Sequence, residues 1–209
     1  MSDNSILVES RKIYELEFVD DRKLDFPAIF GNSNPIHLEI GSGRGEFLIK
    51  IAKQNPQINF IGIDLKEKRF KTLLRKLFKE HLLNVRVAKI FLDENIIKFI
   101  DENSIETIYL QYPDPWPKKR HNRRRIIQDN FVSAMKNLLV PGGLVDIVTD
   151  HREYALWIVD HFRNREDFFA LYEIGFKRVP DKNHIETYFE KLKREEGFEP
   201  YFMKFRSRL

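Results

Sequence analysis

The chain has 209 residues, 42% of them hydrophobic and 13% aromatic, which suits one folded domain of medium size and excludes a disordered chain. It has no cysteine, so disulfides, thiolate nucleophiles and Cys-ligated zinc or iron–sulfur sites are ruled out, and a reducing compartment fits. Net charge is only +4, no apolar run approaches a membrane span, and the first residues are too acidic for a signal peptide, so a cytoplasmic protein is expected.

Residues 1–34 are polar and irregular and close on Gly31-Asn32-Ser33-Asn34. They are read as a tail or lid with little structure of its own, and residues 35–209 as a single domain. Pro35–Ile40 reads as a strand, followed at once by Gly41-Ser42-Gly43-Arg44-Gly45. Phe47, Leu48, Ile51 and Ala52 then recur at helical spacing, and that helix stops before Pro56. Phe60–Ile63 is a second strand, ending in Asp64. Phe70, Leu73, Leu74, Leu77 and Phe78 mark the apolar face of a basic helix reaching His81. Val85–Phe91 and Ile105–Tyr112 are the third and fourth strands, with a short helix at Ile96–Ile100 between them. Ile127, Phe131, Ala134, Met135 and Leu138 form another helical stripe, which Pro141-Gly142-Gly143 breaks. Leu144–Val148 is the fifth strand and a helix with Tyr154, Trp157, Ile158 and His161 follows. Phe168–Phe176 and Pro200–Phe205 read as final strands around a helix at Ile185–Glu196. Strand and helix alternate five times, which predicts an α/β fold with a doubly wound, mostly parallel sheet and one antiparallel strand.

In such a sheet the ligand sits at the carboxyl ends of the strands, where strand order reverses. The first strand-to-helix turn carries Gly41, Gly43 and Gly45 there. A dinucleotide fingerprint wants a small residue at position 46, and this chain has Glu46. A phosphate-binding Gly-Lys-Ser/Thr ending is also absent. Asp64 ends the second strand, where a carboxylate can accept both ribose hydroxyls of a nucleoside, and Glu39 lies just before the glycines. Two carboxylates around a glycine turn repel a pyrophosphate and suit a cationic ligand without phosphate; S-adenosylmethionine fits that description. Each residue has a structural alternative: Asp64 and Glu67 could form a capping box, and Glu39 could pair with an Arg or Lys.

The fourth strand runs into Gln111–Arg125, QYPDPWPKKRHNRRR. Its prolines exclude a helix interior or central strand. A fixed loop is expected to present Asp114 and Trp116 beside six cations between Lys118 and Arg125. Cations hold phosphate backbones without reading sequence, and an indole can stack on a base. The plain alternative is a solvated connector. His37, inside the first strand, reads as a satisfied core histidine. The remaining histidines show no metal spacing, so no required metal is expected.

With these residues in hand, the chain resembles the tRNA (guanine-N7)-methyltransferase family. The matching segments are LEIGSGRGEF (38–47), GID (62–64), YPDPWPKKRHNRRR (112–125), LLVPGG (138–143), TD (149–150) and TYFE (187–190). The PDPWPKKRH run is specific to that family, while the glycine turn is shared by many methyltransferases. The resemblance implies a seven-stranded sheet of the class I methyltransferase type, S-adenosylmethionine as donor and a guanosine of the tRNA variable loop as target. It implies that Glu39, Gly41, Gly43 and Asp64 bind the cofactor and that Asp114 borders cofactor and substrate and is catalytic. Lys118, Asp150, Thr187 and Glu190 would contact the substrate, and Arg120, Arg123, Arg124 and Arg125 the RNA backbone. The protein would be a monomer or homodimer. On spacing alone, Asp150 with Glu153 and Thr187 with Glu190 also read as capping boxes. One position departs from the family: Phe91 stands where an acidic residue or Asn usually approaches the adenine. Asp93 could substitute, or Phe91 could pack on the adenine face. Two other readings remain open: a methyltransferase acting on an exocyclic amine of another RNA or protein substrate, and a non-catalytic RNA-binding module on the same scaffold.

Overall fold

In the computed structural model, which describes residues 2–18, 22–91 and 94–208, the N-terminal segment is structured, contrary to the expectation of a bare tail. Helix α1 (Asp3–Tyr14) is capped by Ser2, whose hydroxyl accepts from the Ser5 amide. It lies along the helix at Glu67–Glu80, with both carboxylate oxygens of Asp3 taken by Arg75 at 2.8 Å and with Arg11 on Glu67 at 3.0 Å. Ser10 and Tyr14 are buried. A buried serine in the contact stripe is why hydrophobic periodicity misses this helix: the Ser10 hydroxyl donates to the Ile6 carbonyl instead of meeting water. A second short helix, α2 (Phe26–Phe30), starts on Asp25 and ends at Gly31.

The remaining elements, in chain order, are β1 (Ile36–Ile40), α3 (Glu46–Gln54), β2 (Asn59–Asp64), α4 (Glu67–Glu80), β3 (Val85–Lys89), β4 (Ile105–Gln111), α5 (Asp129–Leu138), β5 (Leu139–Thr149), α6 (Arg152–Arg163), β6 (Phe168–Ala170), α7 (Tyr188–Glu195) and β7 (Tyr201–Ser207). They build one sheet in the order β3-β2-β1-β4-β5-β7-β6. Strands β1 to β5 pair in parallel, and β7 is antiparallel to both neighbours. Every residue of β1 and β2 is buried, as helices on both faces of a parallel sheet require. On one face α4 buries Phe70, Leu73, Leu74 and Leu77 against Phe47, Leu48, Phe60 and Val85. On the other, α5 and α6 cover β4, β5 and β7. Each such fully buried side chain contributes on the order of 2 kcal/mol. His37 is the core histidine expected, held at 3.1 Å by both the Tyr109 hydroxyl and Glu106.

Three boundaries differ from expectation. Pro141-Gly142-Gly143 does not end an element; β5 runs through it with a bulge, pairing Ile105 with Leu139 but Thr107 with Leu144. Strand β3 ends at Lys89, short of Phe91, and Asp93 lies outside the described residues. Of the strand expected at Phe168–Phe176, only Phe168–Ala170 pairs; the chain then turns, and Lys177 touches Phe202 in a lone bridge. No helix of the described residues is long and apolar enough to cross a membrane.

The order reverses between β1 and β4, whose chains leave in opposite directions to β2 and β5. A crevice therefore opens above the carboxyl ends of β1 and β4.

Candidate active site

The turn after β1 reaches the crevice first. Gly41 and Gly43 have φ of 82° and 56°, a region costly for any residue with a Cβ. A Cβ on Gly41 would meet nothing within 4 Å, so open space lies over that backbone. The Gly43 amide donates to Asp64 Oδ2 at 2.9 Å, and the Lys66 amide donates to Oδ1 at 2.8 Å. Two amides thus fix the carboxylate that ends β2. The alternative of an Asp64–Glu67 capping box is not realised: α4 begins after Lys66 without a side-chain cap, and Glu67 faces Arg11, Lys71 and Lys89.

Glu39 is 3% exposed and has no cationic partner among the described residues, which overturns the alternative of pairing with an Arg or Lys. Its Oε2 accepts from nothing. Burial, with Asp64 adding to it, pushes its pKa up to about 8. A carboxylate buried without a counter-charge is costly and settles only as the acid or beside a cation. The Ser42 hydroxyl, also buried, is likewise unpartnered.

A cavity of about 370 Å³ spans the ends of β1 to β4. Gly41, Asp64 and Leu65 form one wall, Ile90 and Phe91 another, and Asp114 and Trp116 a third. Phe91 is 67% exposed and Leu65 56%, so the cavity offers apolar faces to a planar ring. Phe91 thus lines the cavity with an exposed ring. Neither Glu39 nor Gly43 lines the cavity: Glu39 is buried one residue before its wall, and Gly43 reaches it through Asp64.

The third wall is the proline loop. Tyr112 and Trp116 both lie at positive φ, 55° and 43°. Such conformations cost about 1–3 kcal/mol each in non-glycine residues and persist only where the surroundings impose them. Arg125 supplies much of that constraint. It is 5% exposed, its Nε donates to the Pro115 carbonyl at 2.8 Å, and its guanidinium lies 5.2 Å over Tyr154 and 4.9 Å over Trp157. This corrects the sequence reading of Arg125 as an RNA contact: the side chain points under the loop and cannot meet a phosphate. Lys118, Arg120, Arg123 and Arg124 remain exposed, the arginines on a short 3₁₀ helix at Lys119–Arg124 and Lys118 at its N-cap. Trp116 is half-buried, with Arg124 5.0 Å over its ring and His121 against its edge. Asp114 is exposed on the cavity wall.

The TYFE segment comes to the same loop from the other side. Thr187 caps α7, its hydroxyl accepting from the Glu190 amide at 3.1 Å. Glu190 is fully buried, with Oε2 2.7 Å from His184 Nε2 and Oε1 accepting from Arg194, which corrects its expected role as a direct substrate contact. Burial opposes its ionisation, but His184 and Arg194 outweigh burial and lower its pKa. Tyr112 packs edge-on against Phe189 at 4.9 Å, and burial together with Glu190 raises the pKa of its hydroxyl. Glu46, where a dinucleotide fold wants a small residue, accepts from the Tyr188 amide at 3.0 Å and ties α7 to α3. Asp150 is half-buried and is not the α6 cap; His151 takes that place, its Nδ1 accepting from the Tyr154 amide. Sequence reasoning missed Tyr112 and His184. Only the position of Tyr112 at a strand end, next to Pro113-Asp114, marks it.

A family model described as "Putative methyltransferase" matches residues 33–200. The tRNA (guanine-N(7)-)-methyltransferase of Buchnera aphidicola subsp. Baizongia pistaciae is 38% identical over 186 residues, covering 88% of this chain and 76% of that protein. Its namesake in Thermotoga maritima is 34% identical over 175 residues, covering 83% of this chain but 54% of the longer relative. Among solved structures, a 30S ribosomal A1408 methyltransferase from an uncultured bacterium has the same fold, with a TM-score of 0.58 at 19% identity over 91% of this chain and 95% of that one. The sheet order, the glycine turn and these relatives agree, and the chain belongs to the tRNA (guanine-N(7)-)-methyltransferase family of S-adenosylmethionine-dependent enzymes.

Proposed function

We propose that this protein methylates N7 of a guanosine in the variable loop of tRNA, in the cytoplasm, and that residues 35–209 are its catalytic domain. The observation that carries the reading is one cavity with Asp64 on one wall and Asp114 on another, bordered by exposed cations. The residues present fit S-adenosylmethionine. Glu39 is a buried carboxylate with an unpartnered oxygen suited to a cationic ligand, and the open backbone at Gly41 leaves room for one. Asp64, fixed by two amides, keeps lone pairs for ribose hydroxyls. Leu65 and Phe91 provide apolar faces for the adenine. When bound, S-adenosylmethionine supplies an electrophilic methyl group.

Guanine N7 carries an in-plane lone pair and no proton, so its attack needs no general base. The protein's work is orientation and charge. Asp114 is placed to stabilise the positive charge that the imidazole ring gains, and to accept from the guanine N1 and N2 donors. Lys118, exposed beside the loop, and Asp150, whose charge reaches Tyr112, contact the guanosine, while Thr187 is held in the α7 cap. Glu190 holds the α7 side through His184 and Arg194, and Arg120, Arg123 and Arg124 meet phosphates. Orientation of the reacting atoms supplies several kcal/mol of the rate enhancement.

The test is incubation of unmodified tRNA with labelled S-adenosylmethionine, digestion to nucleosides and identification of the product. The expected product is 7-methylguanosine, mapped to the variable loop. Label on an exocyclic amine, or on protein only, overturns the reading.

A further inference from the structure

The formal charge of +4 comes from 36 Lys and Arg against 32 Asp and Glu, so a local excess of cations means an uneven surface. One such excess lies outside the proline loop. A groove of about 520 Å³ runs between α3, α4 and the start of α7. Lys50, Lys76, Lys79 and Lys191 line it; none forms a salt bridge among the described residues, though the charge of Lys79 reaches Glu80. Lys50 and Lys76 donate to the Glu186 and Arg44 carbonyls. The groove's acids are engaged elsewhere: Glu80 pairs with Lys53 and Glu186 with Arg194, while Glu46 accepts from the Tyr188 amide.

The groove and the cofactor cavity share no lining residue, but α4 lines both. Arg69, Lys76 and Lys79 fall at i, i+7 and i+10 of α4, one side of the helix. Arg69 lines the cofactor cavity, while Lys76 and Lys79 line the groove. Ten residues of helix span about 15 Å, the rise of roughly four phosphates along one strand of a duplex. The far wall is Thr187 and Tyr188, the start of the helix that packs on Tyr112. Of the cations at Arg120–Arg124, Arg124 lines the same cavity as Arg69.

We infer that the α3–α4–α7 groove is a second track for the RNA backbone, which holds a stretch of the tRNA beyond the nucleotide that enters beside Asp114. This rests on the tRNA reading above. The two cation rows flank the site, so the strand passes over the cavity and is held on both sides of the reacting base. A solvated basic helix would not need lysines from α3 and α7 to face those of α4 across a groove.

The test uses the full chain with Lys76, Lys79 and Lys191 all replaced by Gln, three surface changes that leave the core intact. Binding of unmodified tRNA is measured across a salt series, beside the wild type and an Arg120→Gln/Arg123→Gln control. The expected result is weaker binding and a log–log salt slope shallower by about two to three, since each phosphate contact contributes about 0.7–0.9. The loss falls on KM for tRNA, and thermal stabilisation by S-adenosylmethionine stays at the wild-type value. If the wild type and the control bind tRNA as expected but the triple variant keeps the wild-type slope, the groove is overturned and the functional reading stands. If the wild type binds no tRNA, both fall.

Discussion

On the proposed function, Asp114 and Glu39 put the same functional group to opposite uses. Asp114 is exposed on the cavity wall, open to a purine that would become cationic there. Asp114→Asn keeps the shape and removes the charge, so kcat is expected to fall about 100-fold or more with little change in Tm, checked by turnover assays beside thermal melts. Glu39 is buried and unpaired, and its pKa of about 8 lies above the ordinary 4.5. Between those values the folded protein holds a proton that the unfolded chain has lost. Stability without cofactor therefore falls as pH rises through that window. Glu39→Gln should remove that slope from the melting curve measured against pH. The same proton must leave when a cationic ligand arrives, so cofactor affinity is expected to rise with pH towards 8 in the wild type and to be weak and pH-independent in the Gln variant. Calorimetry in buffers of different ionisation enthalpy reads the released proton directly.

At the scale of elements, the proline loop is held from beneath. Arg125 joins the Pro115 carbonyl to the rings of Tyr154 and Trp157 on α6, and so fixes a loop that carries two residues at positive φ. Arg125→Gln is expected to lower kcat about 10- to 100-fold through misplacement of Asp114 while leaving the salt slope of tRNA binding intact. Arg123→Ala should do the reverse, raising KM and flattening the slope. Helix α1 is a second such brace: Tyr14→Ala removes a buried ring and is expected to cost about 3 kcal/mol, seen as a lower denaturant midpoint. The glycine turn, Asp64 and Pro113–Trp116 were legible because their chemistry is local, with glycines where φ is positive, a carboxylate at a strand end and prolines in a loop. Arg125 was not, because its direction is set by two rings about thirty residues further along. Nor was α1, whose contact stripe includes Ser10, or the course of β5, where Pro141-Gly142-Gly143 reads as a stop although a bulge absorbs it.

Across the whole molecule, the carboxyl ends of β1 to β4 gather the glycine turn and the proline loop around one cavity. A ligand that bridges Asp64 and the loop is expected to stabilise the folded state as a unit. S-adenosylmethionine at a hundred times its dissociation constant should add about 2.7 kcal/mol, read as a concentration-dependent rise in Tm. The strand order has a separate effect during synthesis. Residues 201–207 slot between two strands made long before them, so β5 is left with a raw flank of unmet amides and carbonyls until that stretch emerges from the ribosome. A nascent chain halted before Tyr201 has every side chain proposed for the site yet lacks the piece that seals the sheet, and its open strand border is a template for pairing with another chain.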